Sequence, residues 1–278
     1  NYVWHVAERR DGGFVAQVFL NAAEVDRDGD DAVLPPLYLG WSGDGLNGLR
    51  RAFQDGARRL RNRPPAARVQ LNTWEGIYFD HDVDRLTAMA EAAAGLGAER
   101  FVLDDGWFGR RRDDRRGLGD WSPRTDVYPD GLGPLMDRVR DLGMEFGLWV
   151  EPEMANRDSA LFEAHADWML GGPDQPLGRH QFALDLGRKA CLDHMAHVLE
   201  QLVADRRIAA LKWDMNRDVA LGAGRPLVPA ATALIERVRA ARPDLDIEAC
   251  ASGGGRADWR SLGWAHRVWL SDAHDPDL

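Results

Sequence analysis

Two acids in this sequence stand where chemistry could be done. Asp214 closes the apolar run Ile208 to Leu211 through Lys212-Trp213 and is followed by Met215-Asn216, and Asp272 closes the run Trp269-Leu270-Ser271. An apolar strand with an acid at its C-terminal tip is how a (β/α)8 barrel presents a reactive group. Carboxylates on two separate strand tips suit glycoside hydrolysis, in which one attacks or activates water and the other protonates the leaving oxygen. Lys212, two positions before Asp214, would favour the ionised form that attack on an anomeric carbon requires, which makes Asp214 the candidate nucleophile. Asp272 is then the candidate proton donor. Asp275, before Pro276 in the same loop, is its rival.

The other strand ends are loaded in the same way: Trp74, then Asp104, Asp105 and Trp107, then Trp149 and Glu151, then Lys212, then Cys250 and Ser252. A single acid after a strand is ordinarily a helix cap or turn residue. Loading at every tip argues for a common site. The adjacent carboxylates Asp104 and Asp105 are costly unless each finds donors, and two neighbouring hydroxyls of a galactose-like sugar would supply them. A metal site built on these acids with Glu151 and Glu153 is the competing reading, weakened by the lack of DxDxDG or HExxH patterns. Gly253-Gly254-Gly255-Arg256 matches neither GxGxxG nor a Walker loop and reads as close approach of backbone to ligand. The 11 tryptophans exceed what packing alone calls for. An indole can cover the apolar face of a sugar while its N–H donates, although most of them are expected in the core.

Elements that must carry these residues follow from the pattern. Tyr2 to Ala7 and Phe14 to Leu20, around Asp11-Gly12-Gly13, predict a β-hairpin, and Asp28-Gly29-Asp30-Asp31 a further turn. Pro35-Pro36 opens an edge-like segment ending near Trp41. A helix is predicted from Leu46 to Arg61, broken by Asn62-Arg63-Pro64-Pro65. Thereafter strands at 69–74, 101–103, 145–150, 208–214, 246–249 and 267–270 alternate with helices at 84–97, 132–142, 188–206 and 230–241. Phe182 to Leu186 is a possible extra strand. Alternating β and α elements make a parallel sheet, and long polar loops after the strands favour a barrel over an open doubly wound sheet. The expected organisation is the end of a β-sandwich domain at 1–44, a connecting helix and linker at 45–67, and a (β/α)8 TIM barrel at 68–278. A complete barrel has eight strands, so at least one closing βα unit is expected beyond Leu278.

Composition narrows the class. A net charge of −10, from 45 acids against 35 bases, with Arg110-Arg111-Arg112 followed at once by Asp113-Asp114 and read as a solvated loop, argues against a nucleic-acid partner. No apolar run approaches a membrane span. The two cysteines, Cys191 and Cys250, show no CxxC spacing and indicate neither a structural zinc nor a disulfide framework. No signal peptide is visible at Asn1, so a cytoplasmic location is expected. The expected partner is a small-molecule carbohydrate, with a homo-oligomer in the full-length protein and no cofactor or metal.

Several motifs occur in an order that resembles one known family. Asn72-Thr73-Trp74, Val102 to Phe108, Gly119-Asp120-Trp121, Phe146 to Met154, Lys212 to Arg217, Cys250 to Arg256 and Trp269 to Asp272 are similar to the successive signatures of the bacterial α-galactosidases of glycoside hydrolase family 36. The resemblance implies a retaining exo-α-galactosidase that hydrolyses terminal α-galactosyl residues of melibiose- or raffinose-type oligosaccharides through a covalent galactosyl-aspartate. It assigns Asp214 as nucleophile and Asp272 as acid/base, in agreement with the reading from the residues. It also implies sugar contacts at Trp74, Asp104, Asp105, Trp149, Arg179, Lys212, Asn216, Cys250, Ser252 and Gly253. A transglycosylating raffinose-family synthase and an α-N-acetylgalactosaminidase share the same pair, and a non-catalytic carbohydrate-binding fragment is the alternative of another class. The chain departs from the family pattern at Ala273-His274-Asp275, and the segment 219–233 is short for the family.

Overall fold

The computed structural model describes residues 2–20, 26–28, 31–34, 37–60, 68–217, 219 and 227–273. Pro35-Pro36, the 62–65 break and Asp275 lie outside the described residues. At the start, strands β1 (Tyr2–Glu8) and β2 (Phe14–Leu20) pair antiparallel. Their turn needs Gly12, whose φ of +80° few side chains tolerate. A small hairpin of β3 (Asp26–Asp28) and β4 (Asp31–Val33) follows, then helix α1 (Gly45–Leu60).

The rest is a curled parallel sheet wound in one direction. Strands β5 (Gln70–Asn72), β6 (Arg100–Leu103), β7 (Glu145–Val150), β10 (Ile208–Trp213), β11 (Asp246–Ala249) and β12 (Arg267–Val268) lie side by side in chain order. Every pairing is parallel. A doubly wound sheet would reverse its strand order partway. Order that never reverses, with helices between the strands, defines a (β/α)8 barrel, here incomplete with six strands among the described residues. The expected extra strand at 182–186 is corrected. Gln181–Ala183 is β9, pairing antiparallel with β8 (Met154–Asn156) in a separate hairpin beyond β7. A three-residue strand is too short for periodicity to tell a barrel strand from a loop hairpin.

Alternation along the strands separates two environments. Leu71, Phe101, Leu103, Phe146, Leu148, Leu211 and Ile247 join the apolar cluster against the helices. The helices answer at helical spacing: Leu86, Ala90 and Ala93 on α3 (Val83–Gly95), Leu135, Met136 and Val139 on α4 (Gly133–Asp141), Met195, Leu199 and Val203 on α6 (Lys189–Ala204), and Leu234, Ile235 and Val238 on α7 (Leu227–Ala241). Burying each of the large side chains contributes roughly 1.5–3 kcal/mol. Asp82 caps α3 by accepting from the Arg85 backbone N–H at 2.8 Å.

The alternate residues of the same strands build a polar interior, where barrels usually carry branched apolar side chains. At the N-terminal end Arg100 donates to Glu145 and to Asp246, both at 2.6 Å. Gln70 donates to both oxygens of Glu248 at 3.1 Å and accepts from Arg267 at 2.6 Å. Above this belt Gly147 lets the strands approach, since a Cβ there would lie 3.0 Å from Val102 Cγ2. The next layer toward the C-terminal mouth holds Asp104, Trp149 and Lys212.

Candidate active site

Asp104, Trp149, Lys212 and Asp214 reach the mouth because each continues the inward-facing phase of its strand. With Trp74, Asp105, Arg179, Asn216 and Asp272 they line one half-open pocket. Both acids of the expected pair and seven of the ten expected sugar contacts therefore face one space. Cys250, Ser252 and Gly253 sit beside it rather than lining it. Cys250 is fully buried, and burial followed by the Asp214 charge raises its thiol pKa.

Asp214 is held by three donors. Trp149 Nε1 and Asn216 Nδ2 donate to Oδ2 at 3.0 and 2.8 Å, and the Met215 backbone N–H donates to Oδ1 at 2.8 Å. Lys212 is not among them. Its Nζ bonds Asp104 Oδ2 at 2.8 Å and lies 4.4 Å from the centre of the Trp269 ring. The ammonium extends across the barrel to a carboxylate 108 residues away in sequence and acts on Asp214 through charge rather than through a hydrogen bond. Burial opposes the charge on Lys212, but Asp104, Cys250 and Asp214 together raise its pKa above the ordinary lysine range.

The adjacent acids are satisfied by the protein itself. Asp104 also accepts from Asn72 Nδ2 at 2.6 Å and from the Asp105 backbone N–H at 2.8 Å. Asp105 accepts a two-pronged bond from Arg111, Nε at 2.8 Å and Nη2 at 2.7 Å. Burial still raises the Asp105 pKa, with Arg111 opposing and Asp104 and Asp214 adding to the rise. Arg111 corrects a second expectation. Arg110 and Arg112 are solvated as expected, but Arg111 turns inward, is 2% exposed, and also donates to Asn156 at 2.9 Å. Nothing in the Arg110-Arg111-Arg112 run distinguishes its middle member. Its burial comes from the fold of the loop, in which Gly117, at φ +78°, packs against the backbone of Arg110 and Arg111.

Three further positions matter. His81, buried behind Asp105, contacts the Asp105 carbonyl at 3.0 Å and Tyr128 Oη at 2.7 Å, and burial lowers its pKa to about 4. Trp269 Nε1 donates to Asp272 at 2.8 Å, so the indole three residues before the acid orients it. Glu151 is wholly buried at the tip of β7, and burial followed by Asp214 raises its pKa to about 8. Its oxygens accept from Gln181 Nε2 at 2.8 Å and from the Asn216 backbone N–H, and Glu153 accepts from Trp213 and Arg256. Among the described residues no group of three or more His, Cys, Asp or Glu is placed to hold a metal ion. Of the tryptophans, Trp74 and Trp149 line the pocket, whereas Trp107, Trp121, Trp213 and Trp264 are core.

A carboxylate-rich pocket with indole walls thus lies at the C-terminal mouth of a sequentially wound barrel, where barrel enzymes carry their sites. The melibiase family model matches residues 34–277. The α-galactosidase of Escherichia coli is 44% identical over 260 residues, covering 90% of this chain and 37% of that protein. The α-galactosidase AgaA of Geobacillus stearothermophilus is 36% identical over 269 residues, covering 89% of this chain and 36% of that protein. The crystal structure of AgaA superposes with a TM-score of 0.78 at 35% identity, over 83% of this chain and 35% of that one. An AgaA variant in complex with stachyose gives a TM-score of 0.77 at 34% identity, with the same coverage of both chains. The chain belongs to the melibiase family. It spans little more than a third of the length of the curated relatives it matches.

Proposed function

We propose that these residues form the catalytic centre of a retaining α-galactosidase that removes terminal α-galactosyl groups from raffinose-type oligosaccharides. The observation that carries the reading is the single pocket into which Asp214 and Asp272 both open, from the tips of β10 and β12. Asp214 attacks the anomeric carbon while Asp272 gives its proton to the departing glycosidic oxygen. Asp272 then takes a proton from water, and that water releases the sugar from the aspartyl ester. Asp104 and Asp105, each pinned by protein donors on one side, offer their remaining lone pairs to the sugar hydroxyls. Such preset acceptors discriminate steeply against a sugar whose hydroxyl is misplaced. The substrate class is supported by the stachyose and raffinose named in complexes of AgaA variants.

The test is Asp214→Ala in the longest natural polypeptide carrying these residues. Turnover of an aryl α-galactoside is expected to be lost, galactose binding kept, and turnover of an activated substrate partly restored by azide, with the anomeric configuration of that product inverted. Wild-type turnover in Asp214→Ala would end the assignment.

A further inference from the structure

We propose that Glu151 is a positioning residue that locks Asp214 and the hairpin carrying Arg179 into one unit, acting through Asn216. The inference rests on the reading of Asp214 as nucleophile. Glu151 itself has no access to the pocket: it is 0% exposed and lies beneath it. What it offers is two acceptor oxygens pointing at two different elements. One takes the backbone N–H of Asn216, just past β10, and the other takes Gln181 Nε2 on β9 at 2.8 Å.

Each of those partners leads to the site. The Asn216 side chain donates to Asp214 Oδ2 at 2.8 Å, and its Oδ1 accepts from the backbone N–H and hydroxyl of Ser252 at 3.1 and 2.9 Å. Setting the Asn216 backbone therefore sets the donor on the nucleophile and the turn after β11 together. Gln181 stands two residues after Arg179, and Arg179 and His180 adopt φ of +50° and +60°. Such conformations persist only where surrounding contacts over-determine them. Gln181 supplies some of these contacts: its N–H donates to the Gly178 carbonyl at 2.9 Å, and its own carbonyl accepts from Arg217 at 2.7 Å.

Two converging donors explain why the residue is an acid. Both oxygens of a carboxyl group keep lone pairs that can accept, whereas an amide presents one accepting oxygen and a nitrogen that can only donate. The choice is costly in a dry site, because burial and the neighbouring Asp214 disfavour the charge and the Asp105 carboxyl adds to this, with Arg111 as the opposing cation. An acid kept against those terms, without contact to the pocket, fits a positioning role.

The experiment uses Glu151→Met, Glu151→Gln and Asn216→Ala in the same full-length polypeptide, measuring kcat, KM and thermal unfolding. Glu151→Met fills the volume without an acceptor. It is expected to keep KM within about twofold and lower kcat about 10- to 100-fold, the scale of a misplaced reacting group. Glu151→Gln retains one acceptor for the Asn216 N–H and is expected to lose only a few-fold. The Glu151 and Asn216 effects on kcat are expected to be non-additive, since the first acts through the second. Wild-type kcat in Glu151→Met, or additivity of either Glu151 variant with Asn216→Ala, overturns the proposal. If Glu151→Met fails to fold, the Glu151→Gln cycle decides alone. Azide rescue of Asp214→Ala is scored in parallel. Its success beside a wild-type-like Glu151→Met rejects positioning alone, and its failure rejects the nucleophile reading.

Discussion

Removing the guanidinium beneath the pocket is expected to be among the most damaging single changes in this chain. Arg111 and Asp105 form a pair at 2.7 Å with side chains only 2% and 6% exposed. Arg111→Met keeps the length of the side chain but leaves Asp105 buried and unpaired, and breaking a buried pair in this way costs about 3–5 kcal/mol. The lost bonds to Asn156 and to the Arg116 carbonyl fall within that figure. The sign of the pH dependence follows. The Asp105 pKa is already raised from 3.8, and without Arg111 it rises further. A raised acid pKa means stability lost as pH increases, so the deficit of Arg111→Met is expected to be small near pH 4 and to grow toward neutrality. Adding Asp105→Asn removes the orphaned charge, and the double variant is expected to recover at least about 2 kcal/mol relative to the sum of the singles. Urea unfolding at several pH values measures both effects, with aryl α-galactoside turnover as a second readout. A deficit below about 1 kcal/mol, or an additive cycle, would refute the reasoning.

Two other expectations follow from the structure. His81 is held neutral, its pKa lowered from 6.5 to about 4 by burial, so it contributes stability above pH 6.5 that is lost as pH falls toward 4. The loss is on the order of 3 kcal/mol, and His81→Gln should flatten that part of the stability–pH curve; an unchanged slope would exonerate His81. Gly253 has φ +84°, and a Cβ there would lie 3.0 Å from Ser271 Cα and 3.1 Å from the Leu270 carbonyl oxygen. Gly253→Ala is therefore expected to cost about 1–3 kcal/mol and to displace Asp272. Turnover should fall more for a poor leaving group, which needs the acid, than for an activated aryl one; equal losses would contradict this.

The parts legible in the sequence were those written locally. Apolar runs ending in Asp104, Glu151, Asp214 and Asp272 betray strands that point one way, because the acid closing each run marks the C-terminal tip at which a barrel presents its polar groups. Partners could not be read in the same manner. Lys212 stands two residues from Asp214, yet bonds Asp104 because the barrel curls that strand against it. Arg111 looks like its exposed neighbours, and only the folded loop turns it inward. Glu151 was visible as a tip acid, but its partners Asn216 and Gln181 belong to elements 65 and 30 residues away. The short strands β8 and β9 offered too few residues for any period to register.

The charged belt low in the barrel bears on how the chain reaches this state. Arg267 and Gln70 are 197 residues apart in sequence, and closing a loop of that length costs on the order of 5 kcal/mol. Arg100, Glu145 and Asp246 likewise come from three strands, and each ion left single in a dry interior is penalised by several kcal/mol. The belt is consequently complete only once β5, β6, β7, β11 and β12 are assembled together. A half-assembled sheet exposes hydrated charges on its concave side, where a branched apolar lining would adhere to itself or to another nascent chain. Slow, late and concerted docking of the outer strands is the expected signature, with the amide protons of all five strands exchanging as one cooperative unit.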